Sequence, residues 1–228
     1  MAAEIRVLSA GAVEPGLVKL IDAFRRETGR DVKVVFATAP AIRKRLGGGE
    51  TVDVVIAPPA LLDDLVKAGK AVDRVTVGRV GVGVTARDGA PLPQIATVDE
   101  FKQSLLNAKS LVYNQASTGI YLAGLFDRLE IGEQLKAKTT RYPDGAAVLN
   151  HVIEGKGAEI GFGAITEIIE YEKKGLKFVG PLPAEIQSYT TYAATVVADS
   201  TARDAARAFV RYITTPVAKA AFAATGVE

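Results

Sequence analysis

The chain has 228 residues, of which 48% are hydrophobic and 24% charged, so it can bury a core without disulfides or metals. Lys and Arg number 28 against 26 Asp and Glu, and the formal net charge of +2 provides no broad positive field for nucleic acid. The absence of cysteine excludes thiolate catalysis, thiolate-bound metals and disulfides.

The first seventy residues alternate between short apolar strands and amphipathic helices. We predict strands at 5–9, 32–36 and 53–57, a helix that ends at Gly29, a helix at 41–46 and a helix at 58–69. Three strand–helix units in succession are typical of a parallel, doubly wound α/β sheet, whose ligands bind at the carboxyl ends of the strands. The loops after the strands are therefore the first places to look for a binding site.

A second lobe is predicted by two long extended segments. Residues 75–85 form a glycine-punctuated crossover, and residues 189–198 form a return. Between and after them we predict helices near 98–106, 119–129, 145–154, 201–213 and 216–224, and strands at 110–113 and 160–162. The predicted fold class is α/β, with two doubly wound lobes joined by the two extended segments.

Three loops combine small residues with hydroxyl, amide or glycine groups directly before a predicted helix. Their members, which are the candidate ligand-binding residues, are Ser9, Ala10, Gly11, Ala12, Thr38, Ala39, Asn114, Ser117, Thr118 and Gly119. The start of a helix presents unsatisfied N–H groups and partial positive charge, so several starts brought together form an anion site. Each loop can also be a plain capping turn that binds nothing.

Other polar residues form no catalytic or metal-binding pattern. Residues 43–45 are three cations on one helix, and we interpret them as a solvated face, although one of them could grip a carboxylate. His151 is the single histidine and has no partner in the pattern. Glu167, Glu170 and Glu172 crowd one predicted helix and are interpreted as solvent-facing. A P-loop and a dinucleotide fingerprint are both missing. We therefore expect no cofactor, no metal and no catalytic residue.

Several strings occur in a fixed order over nearly the whole chain. They lie at 7–12, 24–29, 36–40, 53–56, 117–121, 152–161 and 165–167. In this order they resemble the type II periplasmic solute-binding proteins of ABC importers, most closely the molybdate-binding branch. The resemblance implies two lobes, 1–84 with 195–228 and 85–194, that hold a ligand in the cleft between them.

In the molybdate-binding branch, hydroxyls and backbone N–H groups hold a tetrahedral oxyanion without a balancing cation. The positions at which those proteins carry serine correspond here to Ala12 and Ala39, and the position of a tyrosine corresponds to Ala164. Because three donors are absent, the pocket is expected to be less polar and roomier. A small carboxylate is therefore an alternative to molybdate as the ligand.

The resemblance implies a non-enzymatic receptor that hands a small anion to the membrane subunits of an ABC importer. The alternatives are a cytoplasmic sensor on the same fold, and an enzyme, since a fold does not fix a function. No apolar run approaches the roughly 20 residues that span a bilayer, so no membrane insertion is expected. The location is expected to be periplasmic if an export signal was removed, and cytoplasmic otherwise.

Overall fold

A computed structural model describes residues 4–156 and 159–228. The chain divides into two compact units, one of residues up to Val80 together with Thr191–Glu228, and one of Gly81–Thr190. It passes from one unit to the other within two long strands, and the boundaries expected from the sequence lie a few residues further along the same strands.

The helices and strands follow one another along the chain in α/β order. The strands are β1 (Ile5–Ala10), β2 (Val32–Ala37), β3 (Val54–Ala57), β4 (Ala71–Arg87), β5 (Ser110–Asn114), β6 (Thr139–Tyr142), β7 (Glu159–Ala164), β8 (Leu176–Pro181) and β9 (Tyr189–Val197). The helices are α1 (Glu14–Thr28), α2 (Ala39–Gly47), α3 (Pro59–Lys67), α4 (Val98–Asn107), α5 (Ser117–Arg128), α6 (Gly132–Lys136), α7 (Gly145–Glu154), α8 (Ile165–Tyr171), α9 (Arg203–Ile213) and α10 (Pro216–Ala223). No helix in the described ranges is both long and apolar enough to cross a bilayer.

The sheet of the first unit is parallel over β2, β1 and β3, and β9 lies antiparallel beside β3. Ser9 in β1 lies opposite Phe36 in β2 and Ile56 in β3. All four residues of β3 are buried, as expected for a central strand covered on both faces. Because β1 and β2 are parallel and in register, the loops that lead to α1 and α2 leave the same edge of the sheet.

Two groups of side chains build the core of the first unit. In one group, the ring of Phe24 on α1 packs edge-on against Phe209 on α9, with ring centroids 5.2 Å apart. In the other, Ile42 on α2 and Leu62 on α3 pack with Leu8 of β1. These helices cover the sheet, and the candidate binding loops lie at the edge that the helices do not cover.

The sheet of the second unit runs β4, β7, β5, β6, and β8 pairs with β4. The strands β7, β5 and β6 are parallel to one another, whereas β4 runs antiparallel to β7. Along β5, Leu111 and Tyr113 join the cluster around Phe126, whereas Val112 joins the cluster around Leu149. This alternation shows that helices cover both faces of the sheet, and it confirms the predicted α/β fold class.

Three elements of the second unit are not predicted by the sequence pattern, namely α6, β6 and β8. β6 has four residues, and none of them is fully buried. In β8 only Leu176 is fully buried. Short strands of this kind carry too few buried positions to show the two-residue periodicity of a strand.

Candidate functional site

The loop between β1 and α1 carries the first four candidate residues. Ser9 is fully buried inside the sheet, and its Oγ lies 3.1 Å from the carbonyl oxygen of Ala10, to which it donates. A short 3-10 helix at Gly11–Val13 then leads directly into α1, and Ala12 within it is buried. The structure therefore places the Ser9 hydroxyl in the strand, while the loop itself consists of small residues and backbone groups.

The loop between β2 and α2 carries Thr38 and Ala39. Thr38 is the N-cap residue of α2 with an extended backbone, and its side chain makes no capping hydrogen bond. Its carbonyl accepts the first helical hydrogen bond from the N–H of Ile42 at 2.8 Å. The half-exposed hydroxyl of Thr38 thus stands at a helix start, next to N–H groups that have no acceptor within the helix.

In the second unit, Asn114 builds the start of α5. Its side chain is buried, and Oδ1 accepts hydrogen bonds from the N–H groups of Ala116 at 3.0 Å and Gly119 at 3.1 Å. A Cβ atom on Gly119 would overlap with the carbonyl oxygen of Asn114, so no larger residue fits there. Ser117 and Thr118 lie half-exposed in the first turn between these fixed points.

Two further helix starts lie at the same edge of the second sheet, and neither is among the three candidate binding loops predicted from the sequence. The N–H of Gln115 donates to the carbonyl of Tyr142 at 2.8 Å and ties the loop after β5 to the loop after β6. Asp144 then caps α7, with Oδ1 accepting from the N–H of Ala147 at 2.9 Å. α8 follows β7 directly, and its N-cap residue is the buried Ala164. The starts of α5, α7 and α8 thus follow three neighbouring parallel strands.

The interpretation of Glu167 as solvent-facing is wrong. Glu167 lies in the first turn of α8 and is half-buried, and its carboxylate lies directly against Gly145, the first residue of α7. A Cβ atom on Gly145 would overlap with Oε2 of Glu167. Glu170 and Glu172 are exposed, as expected from the sequence. The sequence signal that could have revealed this contact is the pair Asp144 and Gly145 at the start of one helix, together with an acidic residue in the first turn of the next.

The cations of α2 are partly neutralised by carboxylates of their own unit. Arg45 grips Glu50 with two hydrogen bonds of 2.5 and 2.6 Å, and Arg43 pairs with Asp64 at 2.8 Å. The hydrogen bond from Arg45 is the main cause that lowers the pKa of Glu50, and the same bond raises the pKa of Arg45. Arg45 therefore does hold a carboxylate bidentately, but that carboxylate belongs to the chain.

His151 also has a partner within its own unit. Its Nδ1 lies 2.8 Å from the hydroxyl oxygen of Tyr142, and the two rings are in tilted contact. Across residues 4–156 and 159–228, no group of three or more His, Cys, Asp or Glu side chains is arranged to hold a metal ion. The loop edges therefore offer backbone N–H groups and hydroxyls, together with the carboxylates of Asp144 and Glu167. The N–H groups and hydroxyls suit the binding of an anion.

Known proteins resemble this chain over nearly its whole length. The family model described as bacterial extracellular solute-binding protein matches residues 5–228. An aconitate isomerase from a Pseudomonas species is 32% identical over 234 aligned residues, which cover 98% of this chain and 87% of the relative.

Two solved structures show the fold. The periplasmic molybdate-binding protein of Azotobacter vinelandii superimposes with a TM-score of 0.81 at 17% identity, covering 98% of both chains. The sulfate-binding protein of Mycobacterium tuberculosis superimposes with a TM-score of 0.77 at 22% identity, covering 99% of this chain and 86% of its own. The fold is that of the type II periplasmic binding proteins, and the chain belongs to the bacterial extracellular solute-binding protein family.

Proposed function

We propose that the protein is a receptor for a small polycarboxylate anion, held by loops at helix starts. The observation that carries this proposal is the meeting of three helix starts at one edge of the second sheet. The hydroxyls of Ser117 and Thr118 stand half-exposed at the first of these starts. Backbone N–H groups at helix starts stabilise an anion without a balancing cation.

The absence of a side-chain donor at three positions favours a carboxylate over a compact oxyanion. Ala12 and Ala164 are buried and Ala39 is half-buried, and none of them can offer the hydroxyl of a serine or tyrosine. A tetrahedral oxyanion needs donors on all sides of a small volume, whereas a polycarboxylate spreads its charge over separate groups. The aconitate isomerase relative supports this choice, because aconitate is a tricarboxylate.

The family supports a role in solute uptake. In such a role, a ligand shifts the population of receptor conformations only by its differential affinity for one of them. We propose that the membrane subunits of an ABC importer recognise the liganded receptor and accept the anion from it. The location in this role is the periplasm.

A binding panel tests the proposal. Purified protein is titrated by calorimetry and melted with cis-aconitate, trans-aconitate, citrate, sulfate and molybdate. We expect the carboxylates to raise the melting temperature, since a ligand at 100 times its Kd stabilises the folded state by about 2.7 kcal/mol. A panel in which only sulfate or molybdate binds, or in which nothing binds, contradicts the polycarboxylate receptor.

A second candidate function is the isomerisation of an unsaturated tricarboxylate. It is favoured by the aconitate isomerase relative, which aligns with 98% of this chain. Incubation with cis-aconitate, followed by proton NMR for the trans isomer, distinguishes the two functions. If the protein converts cis-aconitate faster than buffer does, it is an isomerase. If it binds cis-aconitate saturably without converting it, the receptor function is supported.

A further inference from the structure

A pocket of about 390 Å³ lies within the first unit, at the carboxyl ends of α2 and α3. Ligand pockets in proteins have volumes of about 300–1,000 Å³ and are lined mostly by apolar side chains with a few polar groups. This pocket is lined by five aliphatic side chains, of which Val52 and Leu61 are buried and Leu46, Leu65 and Val197 are half-buried. An apolar ligand group would cover this hydrocarbon and remove it from water.

The pocket lies at the edge of the first sheet that is opposite to the candidate binding loops. Those loops follow the carboxyl ends of β1 and β2. The pocket instead adjoins the start of β3, which is parallel to β1, and the end of β9, which is antiparallel to β3. The six residues of β1 span about 20 Å. A ligand in the pocket is therefore separate from an anion at the loops of this unit.

Two ion pairs neutralise charged groups around the pocket. Arg43 pairs with Asp64 at 2.8 Å and so links α2 to α3. Arg45 holds Glu50 through hydrogen bonds of 2.5 and 2.6 Å. Because these carboxylates are already engaged by guanidinium groups, the charge that a ligand meets is set by the remaining members of the lining.

The remaining charged members of the lining are Lys70 and Asp199. Both are exposed, and among the described residues neither side chain has a hydrogen bond or an ion pair. The N–H of Ala198 donates to the carbonyl of Lys70 at 2.9 Å, so the two charged residues lie on adjoining stretches of backbone. An ammonium group and a carboxylate thus lie at the rim of an apolar pocket without pairing with each other.

We propose that this pocket is a second binding site, which takes a zwitterionic amino acid with an apolar side chain. The ligand carboxylate accepts a hydrogen bond from Nζ of Lys70, the ligand ammonium group donates to the carboxylate of Asp199, and the ligand side chain covers the aliphatic lining. A plain amine leaves Lys70 without a partner, and a plain carboxylate is repelled by Asp199. The site goes beyond the proposed function, because it has another location and another class of ligand.

A matched series of ligands tests the need for both charges. Isotope-labelled protein is titrated with L-leucine, with 3-methylbutylamine, which lacks the carboxylate, and with 4-methylpentanoate, which lacks the ammonium group. Backbone amide chemical shifts report binding. We expect L-leucine to shift the amides of the pocket, and each analogue to bind at least about tenfold more weakly, since a hydrogen bond between charged groups is lost. An analogue that binds as tightly as L-leucine, or L-leucine that shifts no pocket amide at millimolar concentration, overturns the site.

Charge variants at the rim locate the binding of L-leucine. We expect Lys70→Gln and Asp199→Asn each to weaken it by about tenfold, and to bind trans-aconitate as the wild type does. Lys67→Gln is the matched control, because Lys67 is an exposed lysine in the last turn of α3 that does not line the pocket. Unchanged affinity for L-leucine in either rim variant, or an equal loss in the control, overturns the site. Displacement of L-leucine by trans-aconitate would show that both ligands share one site, and the separate pocket would be wrong.

Discussion

At the residue scale, Asn114 shows how one buried side chain shapes a binding loop. Its amide oxygen accepts two backbone hydrogen bonds, from Ala116 and Gly119, and so takes the place of a capping side chain at the start of α5. The hydroxyls of Ser117 and Thr118 in the first turn add side-chain donors to the loop. Their contact with a ligand remains a prediction.

We predict that Asn114→Ala destabilises the fold by about 1–3 kcal/mol, because two buried N–H groups lose their acceptor. Asn114→Asp keeps an oxygen at the same position and is the conservative control, which we expect to lose less stability. Urea unfolding followed by circular dichroism measures both. An alanine variant as stable as the wild type would show that another group caps α5.

Asp53 is a second buried residue whose role is structural. It is 1% exposed, and its carboxylate accepts from the N–H of Arg6 at 2.7 Å and from the hydroxyl of Ser200 at 2.8 Å. Asp53 directly precedes β3, and its carboxylate therefore links β3 to β1 and to the turn after β9 within the first unit.

We predict that Asp53→Ala costs about 3 kcal/mol of unfolding free energy, since it leaves buried donors without an acceptor. Asp63 serves as the control: its carboxylate pairs with Arg74 near the surface, and removal of an exposed ion pair costs about 0–1 kcal/mol. Chemical denaturation of the two alanine variants compares them. Equal losses of stability would contradict the structural role of Asp53.

At the scale of elements, α1 and α2 end in different ways although both end at glycine. Gly29 ends α1 in the left-handed region at φ 67°, and its N–H donates to the carbonyl of Arg25 at 2.9 Å. Gly47 is the last residue of α2, it is not among the positive-φ glycines, and a Cβ atom there would meet no atom within 4 Å.

We predict that Gly29→Ala destabilises the protein by about 1 kcal/mol, because a residue with a Cβ is strained at positive φ. Gly47→Ala is the matched control, and we expect it to be neutral or slightly stabilising because alanine favours a helix. Thermal melts of the two variants should shift in different directions or by clearly different amounts. A fall in melting temperature of the same size in both would contradict the capping role of Gly29.

The elements also show how far the sequence could lead. Strand–helix alternation predicted the parallel α/β order, and Gly29 predicted the end of α1. Four-residue β6 has no fully buried side chain, so its pattern is indistinct. Because β6 was not predicted, no strand end was expected before Asp144. The starts of α7 and α5 could therefore not be placed at the same edge of the sheet. The contact of Glu167 with Gly145 could not be predicted either, because it depends on how α7 and α8 pack side by side.

At the scale of the whole molecule, the candidate ligand-binding residues are drawn from both units, and each can be tested by itself. Thr38 stands at the start of α2 in the first unit, and Thr118 stands in the first turn of α5 in the second. Each hydroxyl is half-exposed, and neither is used to cap its own helix. Replacement of threonine by valine removes the hydroxyl and keeps the shape, so the same change can be made once in each unit.

We predict that Thr38→Val and Thr118→Val each weaken the binding of trans-aconitate by about three- to tenfold, which corresponds to the loss of one hydrogen bond of about 1 kcal/mol. Calorimetry should still give one ligand per chain in both variants, because the loss of one hydroxyl weakens binding without abolishing it. Thr76→Val on the exposed part of β4 is the control, and we expect it to bind as the wild type does. A variant that binds trans-aconitate as tightly as the wild type would show that its threonine takes no part in ligand binding.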